Sequence, residues 1–288
     1  MKTMLVLSMG ALLLAGTLSA QTPVPEWQAG VDKMKSLIQT NPAQASEEVG
    51  ELLKGKNKKN VDLVTSVAHV YLDAGKLTEA QEYLAMAKKA DNKDPKVSVL
   101  EGDIALAQKN IGQACQLYEQ AIYFDPNCKE AYLKYAQAYK SASPALAIEK
   151  LEQLKAVDPN CLEADRELAE VYYSSNRFGK AAEMYAKFID TPLATEDDML
   201  KYAFALFLNH DFEKSLQVAQ KGLQKNARHA AFNRLVMYNN TDLKRYEDAE
   251  KAAHAFFNAS DRADYSYLYY RFHQSLQSLM SYGCKMQM

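Results

Sequence analysis

The chain has 288 residues, a formal charge of −2, and 48% hydrophobic and 24% charged residues, the profile of a folding chain rather than a disordered one. Lysine and glutamate are interspersed, so the strongly basic face that nucleic-acid binding requires is not expected. The length exceeds what one compact core usually organises, yet no stretch has the composition of an interdomain linker, which favours an architecture that grows by repetition.

Residues 1–20 carry one lysine, Lys2, and then an uncharged run rich in Leu, Ala and Met that ends in Thr-Leu-Ser-Ala before Gln-Thr-Pro-Val-Pro. This predicts a secretory signal peptide cleaved at or near Ala20, although Leu18 departs from the small residue usual two places earlier. An uncleaved anchor is the alternative, disfavoured because the run is at the short limit for a span. No cysteine follows the run, so a lipoprotein signal is not expected. The expectation is a chain exported to the periplasm or envelope of a bacterium, or secreted, with no stable membrane span once the signal is removed.

Over residues 21–60, Val31, Met34, Leu37 and Ile38 predict one helix across about 27–40, and Asn41-Pro42 opens a second running to about 54. The pair has the look of a degenerate first hairpin. The basic turn from Gly55 to Asn60 is expected as a solvated loop, with an anion or headgroup contact as the alternative.

Further on, a pattern is stated and then repeated. Gly102, Ala114, Tyr118, Ala121 and Asp125-Pro126-Asn127-Cys128 are answered by Ala136, Ala147, Leu151, Leu154 and Asp158-Pro159-Asn160-Cys161, with Pro126 and Pro159 33 residues apart. A period of that size predicts a helical solenoid, since an ordinary bundle has no reason to repeat its punctuation. Gly102 and Ala114 allow two antiparallel helices to cross closely. Tyr118 shares a helical face with Ala114 and Ala121, and is expected to reach into the next hairpin. Pro126 and Pro159 end helices at Asp125 and Asp158. Asn127 with Glu130, Asn160 with Glu163 and Thr78 with Gln81 are spaced as reciprocal caps, and Asp94, Ser143 and Thr195 stand at further helix starts.

These residues resemble the tetratricopeptide repeat family, whose small-residue, aromatic and terminal-proline pattern is met by Gly102, Ala114, Tyr118, Ala121 and Pro126. Upstream, Ala68, Tyr71, Ala80, Leu84 and Ala87 fit. Downstream, Ala169, Tyr172, Ala181, Tyr185 and Phe188 fit, then Tyr202, Ala203, Leu206, Ser215 and Ala219 less well, with Gly222 where a small apolar residue is usual. In the next unit only Ala249, Ala253 and Phe256 hold, Met237 and Asn240 replacing the small residue and the aromatic. The resemblance implies an all-α, right-handed superhelical solenoid of about six hairpins over 61–263. A lone closing helix, rich in Tyr from Tyr265 to Phe272, is expected over 264–288 to cap the open end. The family's chaperone-tail binders use a basic, Asn-rich clamp on successive first helices. Here the corresponding positions include Thr65, His69, Val99 and Asp103, so that clamp is not met.

Chemistry is not signalled. There is no His-Glu-x-x-His, Cys-x-x-Cys, Gly-x-Ser-x-Gly or phosphate-cradling glycine loop, and His69, His210, His229, His254 and His273 fall in different repeats. No enzyme activity, metal or cofactor is expected. Cys128 and Cys161 occupy equivalent places in successive repeats, about 10 Å or more apart, beyond the reach of a disulfide. All four cysteines, with Cys115 and Cys284, are expected as thiols.

The function expected is an exported scaffold that holds a peptide or protein segment in its concave groove. A structural component of an envelope assembly and a small-ligand or glycan binder are the alternatives. For the binding wall, Met199, Tyr202, Ala203 and Leu206 are assigned to packing, which leaves Leu200, Phe204 and Phe207 as a second stripe on the face that lines the inner wall in the resembling family. Arg166 and Tyr173 on the helix before, Arg234 and Tyr238 on the helix after, and Lys140 are placed on the same wall. Such a set suits an anchor side chain with a carboxylate or backbone carbonyl. A fully buried helix, covered by the closing segment, is the competing expectation.

Overall fold

The structure, a computed structural model, describes residues 24–259; the expected signal peptide and the expected closing helix lie outside the described residues. Among these residues there are fourteen α-helices and no strand. In chain order they are α1 (Gln28–Leu37), α2 (Pro42–Leu52), α3 (Val61–Asp73), α4 (Leu77–Ala90), α5 (Pro95–Ala107), α6 (Ile111–Phe124) and α7 (Lys129–Tyr139). Then follow α8 (Pro144–Val157), α9 (Leu162–Ser174), α10 (Phe178–Phe188), α11 (Glu196–Leu208), α12 (Phe212–Lys225), α13 (Ala230–Asp242) and α14 (Tyr246–Ala259). Consecutive helices pair as hairpins, and a short 3-10 turn, Gly55–Lys59, links α2 to α3 with its lysines in solvent.

Five hairpins close by one device. Gly75, Lys109, Asn176, His210 and Lys244 adopt left-handed backbone, with φ between 58° and 74°. The amide of the following residue then donates back into the last turn of the first helix: Lys76 to Tyr71, Asn110 to Ala105, Arg177 to Tyr172, Asp211 to Leu206 and Arg245 to Asn240, all at 2.8–2.9 Å. This satisfies carbonyls that the helix end would otherwise leave open. The α7–α8 turn differs: Lys140 stays helical and the Ser143 amide bonds to the Tyr139 carbonyl at 2.8 Å.

Helix starts confirm some expected caps and correct others. Asp94 accepts from the Lys96 amide at 2.8 Å, and Thr195 with Asp198 forms a reciprocal capping box at the head of α11. α7 and α9, however, begin after Cys128 and Cys161 with no side-chain cap. The carboxylates of Asp125 and Asp158 have already taken the amides of Asn127 and Asn160, at 2.9 and 3.1 Å, so those asparagines lie inside a turn and cap nothing. α4 starts after Lys76, so Thr78 and Gln81 are within the helix, and Ser143 precedes Pro144 without a capping bond.

Packing shows why two positions are glycine. A β-carbon on Gly102 would lie 2.5 Å from the Tyr118 ring, and one on Gly222 would lie 2.5 Å from the ring of Phe232 in the following hairpin. The expected direction of Tyr118 is thereby corrected: its ring covers Gly102 of its own hairpin, and its hydroxyl donates to Asp103 at 2.7 Å. The core runs along the array as successive clusters, with Ala68, Ala80, Ala114, Tyr118, Ala147, Ala181, Tyr185, Ala203 and Ala219 all buried.

First helices touch one another, α1 with α3, α3 with α5, α5 with α7, α7 with α9 and α11 with α13, while successive second helices do not approach as closely. The row of first helices therefore forms the short, concave side of the stack. No helix of the described residues is long and apolar enough to cross a membrane.

Candidate functional site

The concave wall is built from side chains that pair across one repeat. Asp103 on α5 is buried, and its Oδ2 takes Nε2 of His69 on α3 at 3.1 Å and Nζ of Lys134 on α7 at 3.0 Å, while Oδ1 takes the Tyr118 hydroxyl. Two repeats later the device recurs. Glu170 on α9 receives Lys140 at 3.6 Å, Lys201 of α11 at 2.9 Å and the Tyr185 hydroxyl at 2.9 Å. In each, a tyrosine from the second helix passes through the hairpin to an acid fifteen residues before it, and a nitrogen-bearing side chain from each neighbouring hairpin meets it there.

Electrostatics follow from these contacts. Burial works against ionising Asp103, but the bonds from His69 and Tyr118 and the Lys134 charge outweigh it and hold its pKa below the ordinary aspartate value. Asp198 behaves likewise: burial raises it, while Thr195 and the Arg166 guanidinium lower it further. Burial pushes Tyr118 and Tyr185 well up, so both remain hydroxyl donors.

The wall residues singled out in the sequence fall into three groups. Phe204, Phe207, Arg234 and Tyr238 come together: Phe207 stacks on Tyr238 with centroids 6.0 Å apart, and the Arg234 guanidinium lies 5.7 Å from the Phe204 ring centre. Leu200, Phe204 and Phe207 are half-buried against the core of α11 to α13, and Tyr238 is 39% exposed. Arg166 and Lys140 are committed elsewhere, Arg166 to the buried Asp198 at 2.9 Å and Lys140 to Glu170. Tyr173 turns edge-on to Phe178, 5.7 Å away, at the foot of its hairpin, and Phe207 makes the equivalent contact with Phe212 at 5.5 Å. Tyr173 and Phe207 thus also close turns.

The paired polar residues beneath this surface, Lys134, Glu170 and Lys201, which meet Asp103 or one another, are absent from the set drawn from the sequence. Their signal was available as opposite charges 30–34 residues apart, the repeat length. His69 and Asp103, expected on the inner wall, pair with each other. His210 supplies a left-handed turn residue and His229 accepts from the Phe232 amide at the head of α13. Among the described residues no three His, Cys, Asp or Glu are grouped to hold a metal ion. Cys115, Cys128 and Cys161 are free thiols, and Cys284 lies outside the described residues.

No protein-family model and no curated protein matches the sequence. Solved structures do match. The C-terminal part of a TPR repeat-containing protein from Cytophaga hutchinsonii is 17% identical with a TM-score of 0.61, covering 82% of this chain and 97% of that one. PilF from Pseudomonas aeruginosa is 15% identical, TM-score 0.57, covering 77% of this chain and 100% of that one. PilW, described as a widely conserved type IV pilus biogenesis factor, is 17% identical, TM-score 0.55, covering 70% and 94% respectively. With its paired helices, small-residue contacts and period, this chain has the tetratricopeptide repeat fold.

Proposed function

We propose that the chain is an exported, non-enzymatic scaffold that holds a peptide or protein segment along its concave wall, with Leu200, Phe204, Phe207 and Tyr238 as the apolar anchor site. One observation carries this reading: the aromatic group on α11 and α13 stays part exposed on the concave side, where first helices elsewhere present paired charges. A solenoid offers such an extended concave surface by construction. Aromatic side chains with an adjacent arginine are the groups that dominate binding energy at protein interfaces. Export rests on the composition of residues 1–20.

The test uses Phe204→Ala with Tyr238→Ala, which leaves the Phe207–Phe212 turn contact in place. Cross-linked recovery of partners from an envelope fraction is compared with wild type, alongside thermal melting. Recovery of specific partners is expected to fall with little change in melting. A large drop in melting with unchanged recovery would mean that these rings are core and that the wall is not the site.

A further inference from the structure

We propose that the segment held at this wall carries a carboxylate beside its apolar anchor residue, and that Arg234 receives it; this rests on the concave-wall reading above. Every lysine and arginine on the first helices α1 to α11 has a carboxylate partner, the longest of these contacts being 3.9 Å. Arg234 on α13 has none among the described residues. The concave wall neutralises its own cations and leaves this one.

The reason lies in register. Wall pairs span 30–34 residues, as in His69–Asp103 and Gln137–Glu167. The α11 positions 30–34 residues before Arg234 are Leu200, Lys201, Tyr202, Ala203 and Phe204, and no acid stands among them. Lys201 itself is already held by Glu170 and Asp197 at 2.9 and 2.8 Å.

The guanidinium is also prepared for an anion. Its Cζ lies over the Phe204 ring, 5.7 Å from the centroid, and Nε is shut off from solvent with no hydrogen-bond partner among the described residues. An aromatic ring beside a guanidinium attracts its charge and takes water from that side, and the other N–H groups can form a two-pronged bond to a carboxylate. Tyr238, one turn further along α13, and Phe207 lie beside it to take an apolar side chain. The occupant is thus an acidic-aromatic or acidic-aliphatic peptide segment. The competing occupant is this chain's own carboxylate at Asp264, which stands 30 residues after Arg234.

The experiment pans a random dodecapeptide library against the full chain, against Arg234→Gln and against Phe204→Ala with Tyr238→Ala. Wild type is expected to select peptides with Asp or Glu at a fixed distance from a large apolar residue. Arg234→Gln should keep the apolar preference and lose the acidic one. Replacing that acid by its amide in a selected peptide should weaken binding to wild type about tenfold or more, and should leave binding to Arg234→Gln unchanged. Peptides that need Phe204 and Tyr238 but show no acidic preference would overturn this inference and leave the wall reading standing. Peptides indifferent to Phe204 and Tyr238, or no selection at all, would overturn both. Finally, p-benzoylphenylalanine placed at position 238 is expected to cross-link the selected peptide; cross-linking within the chain to 264–272 would overturn the inference in favour of Asp264.

Discussion

The Tyr118 hydroxyl donates to Oδ1 of Asp103 at 2.7 Å across the full thickness of its hairpin, with the tyrosine ring lying on Gly102 beside the acid. Because Oδ2 of the same carboxylate binds His69 and Lys134, this bond ties the interior of one hairpin to the concave faces of two others. The arrangement leaves no room at position 102. Gly102→Ala would gain up to about 1 kcal/mol of helix propensity, but it forces a fully buried ring to move and is expected to cost about 1–3 kcal/mol net of packing. Denaturant unfolding with an unchanged or raised midpoint would contradict this.

Acid should loosen the wall. Asp103 and Asp198 are both depressed in the folded chain, so their contribution is present above the unfolded aspartate value of about 3.9 and is lost as pH falls through the lower folded values. Melting temperature is expected to hold from pH 7 to about 5 and then to fall steeply below about 4. Asp103→Asn should be less stable at pH 7 and show a shallower acid decline, as followed by circular dichroism.

At Lys109 and Lys244 a side chain sits in left-handed backbone, a conformation that costs about 1–2 kcal/mol for a residue with a β-carbon. Gly occupies the equivalent place at Gly75. Lys109→Gly and Lys244→Gly are each expected to stabilise the chain by about 0.5–1 kcal/mol, the gain being offset in part by the greater freedom of glycine when unfolded. A fall in melting temperature for both would exclude the turn geometry.

The described thiols should be slow and unequal. Burial pushes Cys115 up to about 11 and also raises Cys128 and Cys161, and Cys115 and Cys161 are buried while Cys128 is half-buried. Labelling with a thiol reagent at pH 7 is expected to modify Cys128 before Cys115 and Cys161, with the latter two released on denaturation. Mass analysis without reductant should find no Cys128–Cys161 bridge.

The repeated small residues and prolines made the hairpins legible, because Gly102, Ala114 and Pro126 record steric facts about close helices and helix ends. The capping residues were misplaced by one because Asp125 and Asp158 compete for the same amides that would have marked Asn127 and Asn160 as caps, and spacing alone does not rank the competitors. The Phe204 stripe was legible as apolar surface beyond what packing needs. That Tyr173 and Phe207 also fold onto Phe178 and Phe212 was not, since such contacts arise only once the residue between them turns left-handed. The commitment of Arg166 was not legible, because its partner Asp198 stands at the start of α11 and also bonds Thr195, and one carboxylate serves both purposes.

Several pairs along the concave edge are shielded from water, although Asp62–Lys96 and Lys129–Glu163 there stand in solvent. On the concave edge, Asp103, Glu170 and Asp198 are shielded, whereas on the outer edge the acids of Glu119–Lys150, Asp190–Lys221 and Glu213–Arg245 stand in solvent. Salt weakens exposed pairs far more than shielded ones. From Asp103 to Asp198 the concave side is therefore held more firmly against salt than the outer side, like a sprung strip laminated to a stiffer backing. A bound segment that demands a wider or narrower groove would be accommodated by the outer helices fanning or closing about the concave side, while the spacing of the first helices stays fixed.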